Sequence, residues 1–194
     1  MSKKLVEGSA GFHHHFPRLV IIVTCHARGK DNAMAVAWHS SVSQKPPLIG
    51  VSISPKRYTY ELILEAREFG VNFISLEKAE LIAATGGCPG KAVDKFRRFN
   101  LEKEPMLKTK APILKDAYAA YECKLVENQT YGDHEWFVGE IVATHFDETA
   151  FTAAGILDLA AVNPAMFIGG ELYYTTQQKS ERHLERSKYG NGLG

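Results

Sequence analysis

Four stretches of the chain carry side chains that could do chemistry together. The first is residues 32–41, Asn-Ala-Met-Ala-Val-Ala-Trp-His-Ser-Ser. As a strand it sends Asn32, Met34, Val36, Trp38 and Ser40 to one face and Ala33, Ala35, Ala37, His39 and Ser41 to the other. The second face is alanine until its end, so a flat ring could approach the backbone and use its N–H and C=O groups. Tight packing against a neighbouring strand would use the same small residues. The second stretch is residues 52–59, Ser-Ile-Ser-Pro-Lys-Arg-Tyr-Thr, a turn leading into a helical pattern. A helix N-terminus presents unpaired N–H groups and the positive end of its dipole, which together suit a phosphate. Lys56 and Arg57 add charge there, and Ser52, Ser54 and Thr59 add hydroxyls, although capping alone would select similar residues.

The third stretch, residues 91–99, places Lys91 and Lys95 four apart, on one face if it is helical, with Phe96 and Phe99 turned inward. The lysines suit an anionic ligand or simple solvation. The fourth is Gly132-Asp133-His134, where a histidine opens a long strand pattern. It could sit over a ring and steady negative charge, or be structural. The chain has no GxSxG, HExxH or paired CxxC, so a serine hydrolase, a metalloprotease and a structural zinc have no sequence support. No metal ligand set is expected. His13-His14-His15 is taken as a run of turn or surface histidines.

The elements that must position these groups read mainly as strands. Residues 19–24 form a continuous apolar β-branched run, and Arg28-Gly29-Lys30-Asp31-Asn32 carries hairpin-turn chemistry. A return strand over 33–43, a break at Lys45-Pro46-Pro47 and a strand over 48–54 follow. A helix is expected over 60–69, capped by Thr59 and ended by Gly70, then a strand over 71–76. Further expectations are helices over 78–85 and 91–99, a strand over 111–126, a turn over 128–133 and a strand over 134–146. A helix over 149–161 and a strand over 171–176 complete the pattern. Strands joined by hairpins, with few helices and no GxGxxG, point to a β-barrel with peripheral helices over residues 1–176 and a polar tail over 177–194.

Composition narrows the function classes. The 194 residues carry a net charge of +1, which gives nucleic acid or an anionic membrane no electrostatic purchase. No apolar run approaches the ~20 residues of a transmembrane helix. Cys25, Cys88 and Cys123 are widely spaced and odd in number, as in a cytoplasmic protein with reduced thiols.

The order of these pieces resembles the flavin reductase-like, FMN-binding split-barrel family. The resemblance is carried by residues 17–24, 32–38 and 42–48, by Arg57-Tyr58-Thr59-Tyr60 before Glu61-Leu62-Ile63, by Asp94-Lys95-Phe96 and by Gly132-Asp133-His134. The flavoredoxin and ferric reductase branch is the most similar. The resemblance implies a Greek-key split barrel, a homodimer and FMN as cofactor. It implies that Asn32 and Trp38 touch the isoalloxazine or ribityl, that Thr59 and its neighbours Arg57 and Tyr58 hold the phosphate, and that backbone groups around Ala37 to Ser41 (His39 and Ser40 included) bond the ring's polar edge; Met34, Ser52, Ser54 and Lys91 are further candidate FMN contacts. Lys95 and His134 would stand near the ring as the catalytic pair, and Phe167 would close over it. The implied donor is NAD(P)H or a ferredoxin-like protein, and the implied acceptor is free flavin, ferric iron or a partner protein. Many relatives carry Ser-Gly-Arg-Asp ahead of the Asp-Lys-Phe, whereas this chain has Cys88-Pro89-Gly90-Lys91-Ala92-Val93, which suits a protein as donor. A flavin-free barrel that binds another ligand or a partner is the remaining alternative.

Overall fold

The computed structural model describes residues 2–9, 11 and 14–176. His13 and the tail over 177–194 lie outside the described residues. The chain begins its sheet structure with β1 (Arg18–Leu19), β2 (Ile21–Ala27) and β3 (Lys30–Val36), and continues with β4 (His39–Gln44) and β5 (Pro47–Ile53). Helix α1 (Tyr58–Ala66) and β6 (Glu68–Ile74) follow, then α2 (Ala79–Gly87) and the one-turn α3 (Lys95–Arg98). Short β7 (Lys103–Glu104) and β8 (Ile113–Leu114) precede the long hairpin β9 (Ala117–Tyr131) and β10 (His134–Phe146); β11 (Met166–Gly169) and β12 (Leu172–Tyr174) close the described chain.

Seven strands form one sheet in the order β3-β2-β6-β9-β10-β5-β4, and each of its ladders is antiparallel. The two edges, β3 and β4, are consecutive in the chain and joined only by Ala37-Trp38. The chain thus crosses from one edge of the curled sheet to the other at this corner, and β3 lies against β5 without a ladder. A barrel split along one seam results, which is the mainly β fold with peripheral helices that the sequence leads one to expect. A separate three-stranded sheet, β1-β11-β12, and the β7–β8 pair lie outside it.

Strand β2 is buried on both faces, which is why its residues read as an unbroken apolar run. Ile21, Val23 and Cys25 join Leu62 and Ile63 of α1, Phe69 of β6 and Phe137 of β10 in one core. Val20 and Ile22 join Ile82 of α2 and Leu101 in a second. Helix α1 therefore packs inside the first core, while α2 and α3 pack on the second.

Five expectations need correcting. The strand expected over 33–43 is two strands, because the corner at Ala37-Trp38 interrupts it. Helix α1 starts two residues early: Arg57 is its cap, with extended dihedrals and no side-chain cap bond, and Thr59 is inside the first turn. It ends at Arg67, whose left-handed backbone (φ 59°) lets its N–H reach the Ile63 carbonyl. Gly70 lies instead in β6, where a Cβ would come within 2.3 Å of Thr24 Oγ1. The helix expected over 91–99 is only α3, because Pro89 accepts the N–H groups of Ala92 and Val93 in a turn and Asp94 starts the helix by accepting from Arg97 N. The turn expected over 128–133 is confined to Gly132-Asp133, with Asn128 and Thr130 still in β9 donating to the Glu135 carboxylate. The helix expected over 149–161 is absent: a 3-10 turn at Glu148–Ala150 is followed by turns around Gly155 (φ 73°) and Asp158.

Candidate functional site

The seam of the barrel carries two adjoining cavities, each of about 300 Å3, that share Met34, Ala35 and Arg57. Together they make an elongated groove in the size range of small-molecule sites. Its floor is the small-residue end of β3. One wall is the start of α1, and the other is the turn over residues 88–91 with the C-terminus of α2.

At the α1 end, Lys56, Arg57, Tyr58 and Thr59 face Gly90, Lys91 and Lys95. The turn Ser54–Arg57 is fixed by Arg57 N donating to Ser54 O (2.9 Å), and the Ser54 hydroxyl accepts weakly from Lys56 N (3.4 Å). As the first helical residues, Tyr58 and Thr59 have N–H groups without an intrahelical acceptor. Thr59 is buried, and its Oγ1 accepts from Asn32 Nδ2 at 2.8 Å, so β3 holds the helix start in place. Asn32 Oδ1 is buried with no hydrogen-bond partner among the described residues. Gly90 lies directly against it: a Cβ there would meet Oδ1 at 2.3 Å, so only glycine lets this turn close on β3.

Lys95 is buried although it lines the groove. Its Nζ donates to the carbonyls of Ala33 (2.7 Å) and Thr85 (2.5 Å), tying the end of α2 to β3. Burial holds its pKa below the ordinary lysine value; Cys88 opposes that shift and Arg57 adds to it. Lys91 is exposed, pairs with Glu61 at 2.9 Å and stands 5.9 Å from the Tyr58 ring centre. Lys91 and Lys95 therefore do not share a helix face.

At the other end, Ala37, Trp38, Ser52 and Ser54 line the groove with His134. The His134 ring lies 4.8 Å from that of Trp38, and its Nδ1 is 2.8 Å from Asp133 Oδ1. That hydrogen bond, and the His134 charge, hold the Asp133 carboxyl below its ordinary pKa. The Asp133 side chain itself is exposed to solvent. His134 and Lys95 line different cavities of the groove rather than one common pocket.

Five expected site residues do not line the groove: Asn32, buried against Thr59 instead of facing the ring, and four that lie farther off. His39 is half-buried, with Nε2 2.9 Å from the Leu19 carbonyl, and burial lowers its pKa. Ser40 and Ser41 are exposed on edge strand β4. Phe167 sits in β11, packed edge-on against Phe16 and beside Tyr173. Conversely, Glu61, Thr85, Gly86, Cys88 and Pro89 line the groove and were not singled out. Only the unusual residues 88–91 gave a signal, as a departure from the related pattern.

The other two cysteines are buried and inert: burial pushes the Cys25 thiol up to about 12 and Cys123 higher still. Among the described residues, no three His, Cys, Asp or Glu side chains are grouped to hold a metal ion.

Residues 13–177 match the family described as flavin reductase like domain. The chain belongs to that family. Among solved structures it is similar to an FMN-binding protein of Thermus thermophilus with bound p-hydroxybenzaldehyde, at TM-score 0.82 and 32% identity, covering 94% of this chain and all of that one. The flavoredoxin of Methanosarcina acetivorans matches with TM-score 0.84 and 28% identity over 97% and 99% of the two chains. In sequence, the reductase component of an FADH2-dependent resorcinol hydroxylase from a Rhizobium species is 30% identical over 69% of this chain and 74% of its own. The split-barrel architecture of this flavin reductase-like chain is thereby accounted for.

Proposed function

We propose that the groove binds FMN and that the protein is an FMN-dependent oxidoreductase. The observation that carries this reading is the groove itself: an elongated cavity lined by Met34, Ala35, Val36 and Ala37, cationic at the helix end and aromatic at the other. Its residues fit the group. The buried, unpartnered Asn32 Oδ1 beside it and the Gly90 contact mark a wall closed to backbone distance around a ligand-sized space. The relatives named as an FMN-binding protein and a flavoredoxin support FMN over other flat ligands.

FMN, when bound, supplies a ring that accepts a hydride and releases its electrons to an acceptor. Arg57, Lys91 and the N–H groups of Tyr58 and Thr59 would hold the phosphate. Met34, Ala35 and Ala37 would support the ring, with Trp38 and His134 at its far end. The carboxylate of Asp133 fixes the Nδ1 side of His134, which leaves Nε2 to exchange a proton with the ligand. We assign Lys95 to the ribityl and phosphate end, since it lines that cavity, and to the support of the wall. Asn32 acts through Thr59. His39, Ser40, Ser41 and Phe167 have no assigned contact within one chain.

The donor is NAD(P)H or a reduced ferredoxin-like protein, and the acceptor is free flavin, ferric iron or a partner protein; the reductase component among the relatives supports a partner oxygenase or similar protein as consumer. Anaerobic titration with NADH and then NADPH, following flavin absorbance, tests this. Bleaching with either makes it a reductase. A protein that bleaches only with dithionite is a flavoredoxin-type carrier, and one that takes up no flavin leaves the flavin-free barrel.

Replacing His134 with glutamine is expected to slow reduction by NAD(P)H about tenfold or more while leaving FMN affinity nearly unchanged. Stopped-flow reduction beside an equilibrium titration checks this; equal loss in both would remove the proton-handling role. We further infer a homodimer working in the cytoplasm. Light scattering that returns a monomer contradicts it.

A further inference from the structure

The two walls of the helix end are bridged by one ion pair, Lys91 Nζ to Glu61 Oε1 at 2.9 Å. Both residues line the same cavity as Arg57 and Thr59. Glu61 belongs to a regular helix and is steadied by Arg28 at 3.6 Å, which is itself held by Glu65 at 2.7 Å. Lys91 sits on a turn, with its ammonium above the Tyr58 ring. The anchored partner is thus the acid, and the arm able to swing is the lysine. A carboxylate in a cavity otherwise lined by four cationic side chains, Lys56, Arg57, Lys91 and Lys95, has a definite electrostatic effect on any anion that enters. It repels the anion and partly neutralises Lys91.

We propose that Glu61 is a specificity residue that competes with the ligand phosphate for Lys91. When a phosphate enters, Lys91 exchanges its carboxylate partner for a phosphate oxygen, and the pair that spans the mouth opens. Lys95 cannot take this part, because its ammonium is committed to the carbonyls of Ala33 and Thr85. The exchange lowers the affinity that the phosphate adds without abolishing it, and so makes the cofactor exchangeable. The proposal rests on the assignment of the phosphate to this end of the groove.

The test is isothermal titration of the full-length wild-type, Glu61→Gln, Lys91→Met and doubly substituted proteins with FMN and with riboflavin at low salt. Glu61→Gln is expected to tighten FMN about two- to fivefold, the span of a single exposed charge interaction, and to leave riboflavin unchanged. Lys91→Met is expected to weaken FMN, and in its background Glu61→Gln should lose most of its benefit, since the competition has no object. The gain should shrink as salt is raised. Unchanged or weaker FMN binding by Glu61→Gln, or an equal gain for riboflavin, overturns the proposal. A wild-type protein that holds riboflavin as tightly as FMN removes the phosphate from this end and the proposal with it, a failure distinct from one confined to Glu61.

Discussion

Replacing Lys95 with methionine is expected to destabilise the protein by roughly 2–4 kcal/mol, the sum of two buried carbonyls left without a donor. The stem of the side chain is kept, so packing changes little and the lost interactions are those of Nζ. They are the hydrogen bonds to Ala33 O and Thr85 O, one on β3 and one at the end of α2. Without them the end of α2 and the turn leading to Gly90 lose their tie to the groove floor. Urea unfolding of the ligand-free protein measures the effect. If stability is unchanged while flavin affinity or reduction rate falls, the ammonium serves the ligand and the scaffold role assigned to it is wrong. The distinction matters because a sequence pattern with Lys91 and Lys95 four apart reads as a solvated or ligand-facing pair. The turn at Pro89-Gly90 and the cap at Asp94 separate them, leaving one lysine outside and one inside.

The second large effect concerns Glu122, a fully buried carboxylate in the middle of β9. It accepts the N–H groups of Leu107 (2.6 Å), Lys108 (2.7 Å) and Thr109 (2.6 Å), and pairs with His145 Nε2 at 2.7 Å. Burial pushes its pKa up, but the backbone N–H groups and His145 outweigh burial and carry it down from 4.5 to about 2. Because the folded pKa lies below the ordinary one, the contribution is present above about pH 4.5 and is lost as pH falls towards about 2. A shift of this size corresponds to roughly 3 kcal/mol at neutral pH. Glu122→Gln is expected to lose about that much at pH 7, since in either amide orientation the NH2 would face a backbone donor, Leu107 N or those of residues 108 and 109. Between pH 5 and pH 2, by about the same linkage, the wild type should lose stability more steeply than the variant. Denaturation midpoints measured across that range check it; parallel curves would show that Glu122 is not the titrating group.

What the sequence disclosed, and what it did not, follows from how each element is stabilised. Strand β2 was legible because both of its faces are buried. The opening of β10 at His134 was legible because Gly132 and Asp133 supply turn chemistry. Helix α1 was found but misplaced at both ends, since its start has a cap without a side-chain bond and its stop is an arginine in the left-handed region. Of the groove, the floor, Arg57 to Thr59 and His134 could be named from local pattern. Their meeting at one seam could not, because it depends on a sheet whose edges are joined by Ala37-Trp38. Glu61 was hidden among ordinary helix-surface acids. Glu122 was hidden too, as one acid in an alternating strand, its partners thirteen to fifteen residues upstream on a loop and on the neighbouring strand. His39 looked like a ligand-facing residue at a strand end, but the Leu19 carbonyl lies at its ring nitrogen.

The central claim is that the seam groove holds FMN with its phosphate at the start of α1. The most direct measurement is a titration of FMN and riboflavin into the wild-type protein and into a Thr59→Val, Arg57→Gln variant, following flavin fluorescence. One FMN per chain is expected for the wild type, with FMN weakened at least tenfold by the variant, about 1.4 kcal/mol, and riboflavin nearly unaffected. No saturable binding, or equal weakening of both flavins, would contradict the assignment.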